Sequence, residues 1–309
     1  MVRPGRSIGS LRFFLFLANI FGLIVAAIGL GALIYVAQSI FRNGITSNEQ
    51  LQLLADGLDP QYIPVLFAFL GYLAVGNVFY CSYIINFLRK SDDDTLINNR
   101  WILALFSLSV GGILTPMILA QMPNTEVRST IDPKFTISKG YGINAILVSV
   151  TGISFYLIFN KAMNMSMDLE SVTNQVVYIV FILIAFWGII NCSLFAGPGA
   201  KAIWDKRGAG YKLMNFVAII NIIYATIILI IQIILSILSI ISIISDLFDR
   251  KSGAGFLNAL LAPLRIAMQL FIIFTIWQTI KGIWSKSGSF EYGVYTNLSE
   301  KQKNYEMRN

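Results

Sequence analysis

The sequence predicts an all-α, polytopic integral membrane helix bundle with six or seven transmembrane helices. Two observations carry this expectation, and a third bounds the chemistry. Of the 309 residues, 56% are hydrophobic and only 13% charged, whereas soluble domains carry about a quarter charged residues. Apolar stretches of about 18 residues or more recur along the whole length, as membrane crossings require. Histidine is absent, which removes His-ligated metals, His-ligated haem and every His-based catalytic arrangement.

Seven apolar stretches follow in order, at about 13–37, 62–88, 101–121, 142–160, 176–196, 213–245 and 264–284. The first is preceded by Arg3, Arg6 and Arg12 and is too long for a signal-peptide core, so it reads as a retained crossing. Thr46 to Pro60 has capping-box spacing for a short helix, Ser47 then Gln50. Asn164 to Gln175 reads as an amphipathic connector. Phe256 to Arg265 reads as an interfacial segment with Pro263 marking entry to the last crossing. Residues 1–285 form the transmembrane domain, and 286–309 a hydrophilic tail.

Charge decides between six and seven. Lys and Arg in short loops favour the cytoplasmic side or its equivalent. With seven crossings and the N-terminus inside, only ten of the 23 lie inside. If 142–160 does not fully cross, fifteen lie inside against eight outside, and both termini share the cytoplasmic-equivalent side. Asn144, Ser149, Thr151, Gly152 and Ser154 interrupt that stretch and make it the one to demote.

The apolar segments hold no acid or base near their centres, which argues against proton pumps, voltage sensors and intramembrane aspartyl proteases. Asp92, Asp93 and Asp94 could attract a divalent cation, but they read better as favourable charge at a helix N-terminus. Cys81 and Cys192 sit inside apolar segments and read as small hydrophobes. No catalytic residue, cofactor or metal ligand is expected. The net charge of +7 reads as snorkelling and contact with anionic lipid rather than as a nucleic-acid surface.

Two constellations remain. The loop AGPGAKAIWDKRGAGYK places Lys201, Lys206, Arg207 and Lys212 beside Trp204, and reads as a lipid-interface anchor. The second lies in the uninterrupted stretch Asn215 to Phe248, which as a helix would reach about 50 Å against a hydrocarbon core of about 30 Å. At about 100° per residue from Gln232, Asn221 and Ser239 fall near about −20°, Ser236 near about 40° and Asp246 near about −40°. Asn221, Gln232, Ser236, Ser239 and Asp246 thus form one helix-packing seam, as close packing in lipid requires.

The outline of the first three crossings, with Asn19 in the first, is similar to tetraspanins, but the Cys-Cys-Gly motif and disulfide-bearing domain of that family are missing. The functional expectation is a non-catalytic structural or accessory subunit of a larger membrane assembly. Its partners would be anionic membrane lipids and other membrane subunits. A channel or facilitator for a small neutral solute is the alternative, and a lipid-modifying enzyme the third reading.

Overall fold

The computed structural model describes residues 8–43, 62–122, 129–162, 171–248 and 255–284. These form α1 (Ile8–Asn43), α2 (Ile63–Lys90), α3 (Asp93–Ser109), α4 (Leu114–Leu119) and α5 (Pro133–Ala162). The series continues with α6 (Val172–Phe195), α7 (Ala200–Lys206), α8 (Ala209–Phe248) and α9 (Gly255–Ile283). No strand occurs among the described residues. Six helices are long and apolar enough to cross a membrane: α1, α2, α5, α6, α8 and α9. The chain is therefore an all-α, multi-pass membrane protein.

Six spans agree with the charge argument, but the demoted stretch is a different one. Residues 142–160 lie inside α5, a helix of 30 residues. The polar residues that suggested interruption are accommodated within it: Thr151 Oγ1 donates to the Leu147 carbonyl at 2.8 Å and Ser154 Oγ to that of Val150 at 2.7 Å. A hydroxyl that bonds its own helix does not break it. The stretch 101–121 is the one that fails to span. It is divided between α3 and α4 by a turn in which Gly111 has φ +81°, a left-handed conformation that glycine adopts without a Cβ penalty.

The connector Phe256 to Arg265 is helical and continuous with α9, which contains Pro263. Thr46 to Pro60, most of the 164–175 connector and the C-terminal tail lie outside the described residues.

Packing divides the chain into two compact units, one within residues 16–89 and 137–217, the other within 1–15, 90–136 and 218–309. In the first, parts of α1 and α2 pack with α5 and α6. A core of Leu33, Ala37, Ile63, Phe67, Phe155 and Phe159 has the Phe67 and Phe159 rings stacked at 3.8 Å between centroids. Small residues set the helix separations. A Cβ on Gly71 would lie 2.7 Å from the Phe155 ring, and one on Gly142 2.7 Å from Asn191 Cβ and 2.9 Å from the Cys192 backbone nitrogen. A Cβ on Gly188 would meet the Ile146 backbone nitrogen at 3.0 Å. Close backbone approach is the usual basis of helix association in lipid, where no hydrophobic force drives helices together. Tyr156 on α5 donates a hydrogen bond to Asn174 Oδ1 on α6.

In the second unit α3 is the central element. Leu96, Leu103, Ala104, Leu105 and Phe106 are each 0% exposed, so all faces of the helix are covered. Asp92 caps it by accepting from the Thr95 amide at 2.9 Å, which holds that carboxyl below the ordinary range. Asp93 pairs with Arg12 at 2.8 Å, and Arg12 also donates to the Ser91 carbonyl. Two of the three acids are thus used, Asp92 by capping and Asp93 by pairing, and the described residues hold no metal-ligand cluster.

The segment that follows α3 returns to the end where α3 begins. Thr95 Oγ1 and Thr130 Oγ1 are 3.0 Å apart, and Thr95 Oγ1 also accepts from the Thr130 amide at 3.0 Å. Asn99 Nδ2 donates to the Ile131 carbonyl at 2.9 Å, and Asn99 Oδ1 accepts from Thr136 Oγ1 at 2.6 Å. A 17-residue helix is about 25 Å long. The described parts of 93–131 start and finish at the same end of α3, the arrangement of a re-entrant hairpin rather than of a crossing.

Candidate functional site

The broken end of α3 meets the packing seam. Helix C-termini leave carbonyls without intrahelical donors, and such groups are costly at membrane depth unless protein supplies a partner. Here protein donors supply them. Ser109 Oγ donates to the Leu105 carbonyl at 2.8 Å, and Gly112 N–H to that of Ser107 at 2.8 Å. The Leu108 carbonyl accepts from the Gly111 amide at 3.1 Å and from Gln232 Nε2 on α8 at 3.3 Å. Gln232 thereby ties the long helix to the hairpin.

The other seam residues are placed unevenly. Asn221 is 0% exposed, and Ala218, Ala225 and Leu229 on the same stripe are equally covered. Ser236 is buried and Ser239 half-buried, while Asp246 is exposed. Covered positions thus extend from Ala218 to Ile243 and stop short of Asp246. Thr226 extends the polar contacts of α8 by accepting at 3.0 Å from Nε1 of Trp284, the residue just after α9. Replacing Gln232 with leucine is expected to destabilise the fold by about 1 kcal/mol, the scale of an interhelical side-chain hydrogen bond in lipid. Reversible unfolding in mixed dodecyl maltoside and SDS micelles measures it.

No known protein family, no curated protein and no solved structure matches this chain.

The basic loop is organised by aromatic packing. Trp204 of α7 is 4% exposed, with its ring 4.7 Å from that of Tyr211 and 6.0 Å from that of Phe195. The tryptophan therefore holds an interior place, while Lys201, Lys206 and Lys212 are exposed. Arg207 ends α7 in the left-handed conformation with φ 55°, and its guanidinium carbon lies 5.8 Å from the Tyr211 ring centroid.

Sequence reasoning missed the interior cation. Arg100 is 1% exposed, donates Nη1 to the Ile97 carbonyl at 2.9 Å and stands 5.1 Å from the Trp101 ring centroid. A guanidinium stays protonated in proteins, so Arg100 is an interior cation. Snorkelling was the expectation for cations beside apolar stretches, and it fails here because α3 is enclosed by protein on every side. A Cβ on Gly282 of α9 would lie 2.1 Å from the Trp101 ring, so α9 closes over this end of α3. The polar run INNR before the stretch, Ile97 to Arg100, was the available signal, since two amides and a cation in succession need partners when the helix carrying them is buried.

Proposed function

We propose that this protein is a non-catalytic structural or accessory subunit of a larger membrane assembly, working through helix packing and lipid contact. One observation carries the reading: α8 presents an apolar face longer than a bilayer core is thick. Large exposed hydrophobics run from Leu213, 54% exposed, to Ile244, 42% exposed. That interval of 31 residues is about 47 Å of helix against about 30 Å of hydrocarbon. Tilt absorbs part of the excess, and a face that extends beyond the hydrocarbon needs a cover that excludes water, which we take to be another protein surface rather than a segment of the chain itself. The opposite stripe of α8 favours packing over a solute path, because Gln232 donates to a backbone carbonyl and Asn221 is fully enclosed.

Sidedness is part of the same proposal. With the re-entrant hairpin in place of a crossing, eighteen Lys and Arg fall on the side of the N-terminus. Only Arg42, Lys161, Arg250, Lys251 and Arg265 fall on the other. This bias exceeds the fifteen against eight expected from the sequence and supports the reading that both termini lie on the cytoplasmic-equivalent side.

Native mass measurement after extraction in gentle detergent tests the subunit reading. A particle holding additional membrane proteins beside this 34.4 kDa chain is expected. A well-behaved isolated monomer would overturn it.

A further inference from the structure

The connection between α6 and α8, together with the first two turns of α8, joins four cations to exposed apolar side chains on a fixed scaffold. Between Gly197 and Lys212 the sequence holds Lys201, Lys206, Arg207 and Lys212 against the single acid Asp205. Lys201, Lys206 and Lys212 are exposed and Arg207 is half-exposed. Beside them stand Ile203, 48% exposed, Leu213, 54%, and Phe216, 61%. A soluble anion would meet the charges but leave Ile203 in water, whereas Leu213 and Phe216 already belong to the first turns of the spanning helix α8 and set the neighbouring cations at its membrane boundary. A bilayer surface satisfies both, with phosphates for the cations and the acyl boundary for the apolar groups.

The scaffold is ordered before any ligand arrives. Trp204 is buried between Phe195 and Tyr211, the Ala200 amide bonds the Gly197 carbonyl at 3.1 Å, and the Ile203 amide bonds that of Gly199 at 3.1 Å. Arg207 is set by its left-handed backbone against the Tyr211 face. A preorganised cluster loses less freedom on binding than a flexible basic tail.

We infer that this loop is a docking surface for the phosphate headgroups of anionic phospholipids, with Lys206 and Arg207 as its principal cations. The inference rests on the lipid-contact half of the proposed function and is independent of the assembly half. Each Lys or Arg close to an anionic surface strengthens association by about fivefold.

Spin-label electron paramagnetic resonance on the full chain, reconstituted alone in phosphatidylcholine, tests it with spin-labelled phosphatidylglycerol and phosphatidylcholine as probes. The native chain is expected to prefer phosphatidylglycerol by at least about fivefold, the effect of one such cation. The Lys206→Gln/Arg207→Gln variant should bring the two lipids within about twofold, while Lys206→Arg/Arg207→Lys and the distant Arg265→Gln should keep the preference. An unchanged preference in the doubly neutralised chain overturns the inference. Loss in the charge-conserving pair overturns it too, since that would reflect loop structure rather than charge. Inorganic phosphate that displaces the labelled lipid beyond chloride of equal ionic strength would replace the bilayer with a free-phosphate site. A chain that purifies as a monomer yet prefers phosphatidylglycerol would defeat the assembly reading alone.

Discussion

Replacing Asn99 with leucine is expected to lower stability by about 2 to 3 kcal/mol, from three hydrogen bonds each contributing about 1 kcal/mol. Its Nδ2 donates to the Thr95 and Ile131 carbonyls, each at 2.9 Å, and its Oδ1 accepts from Thr136. Asn99, Thr95 and Thr136 are all 0% exposed, so water cannot replace the lost amide. Two of the partners have second bonds, Thr136 Oγ1 to the Asp132 carbonyl at 3.3 Å and the Ile131 carbonyl from Ser129 Oγ at 2.7 Å. Those bonds keep the expected loss below that of fully orphaned groups. Unfolding in mixed micelles gives the magnitude, and a Thr130→Cys reporter should react faster with maleimide in the Asn99→Leu background because the return of the hairpin is loosened. A loss below about 0.5 kcal/mol with unchanged reactivity would show that the return is held by something else.

Gly142→Leu is expected to cost about 3 kcal/mol, at the upper end of ordinary overpacking. The obstacle is backbone: a Cβ there would stand 2.9 Å from the Cys192 nitrogen, and no rotamer change relieves that contact. α5 and α6 must move apart, which also loosens the Gly188 contact and the Tyr156 to Asn174 hydrogen bond. Gly29 on α1 supplies the contrast, because a Cβ there meets nothing within 4 Å. Gly29→Ala should stabilise by up to about 1 kcal/mol through helix propensity. Thermal unfolding of both variants in one detergent separates tight packing from glycine content as the cause.

The helical class and five of the six spans were legible because a long apolar run signals its length whatever surrounds it. The identity of the sixth was not. Residues 101–121 and 142–160 look alike in hydropathy, and the deciding difference is where their small and polar residues point. Gly142 and Gly152 face neighbouring side chains on α6, while Thr151 and Ser154 bond their own helix. In the other stretch the adjacent pair Gly111 and Gly112 forms a turn, with Ser107 Oγ donating to the Gly112 carbonyl at 3.0 Å. An adjacent Gly-Gly pair followed by Pro116 was the readable sign of a break.

The seam was legible as an angular stripe, but its partner was not. Angles on one helix say which residues share a face and nothing about what lies opposite. That Gln232 meets the carbonyl of a broken helix depends on the 124-residue separation between them. Asp246 fits the stripe by angle yet is exposed, since a stripe can continue past the last contact. Trp204 was grouped with its cationic neighbours by sequence proximity, whereas the chain reversal between α7 and α8 turns it onto Tyr211.

The re-entrant hairpin is the feature on which the span count, the sidedness and the role of Gln232 all depend. Cysteine accessibility tests it most directly, in a background with Cys81 and Cys192 replaced by serine and single reporters at Lys90→Cys, Thr130→Cys and Lys161→Cys. With a membrane-impermeant maleimide applied to sealed, oriented vesicles, positions 90 and 130 should be labelled from the same side and 161 from the opposite side. Labelling of 90 and 130 from opposite sides would make residues 93–131 a true crossing and contradict the account.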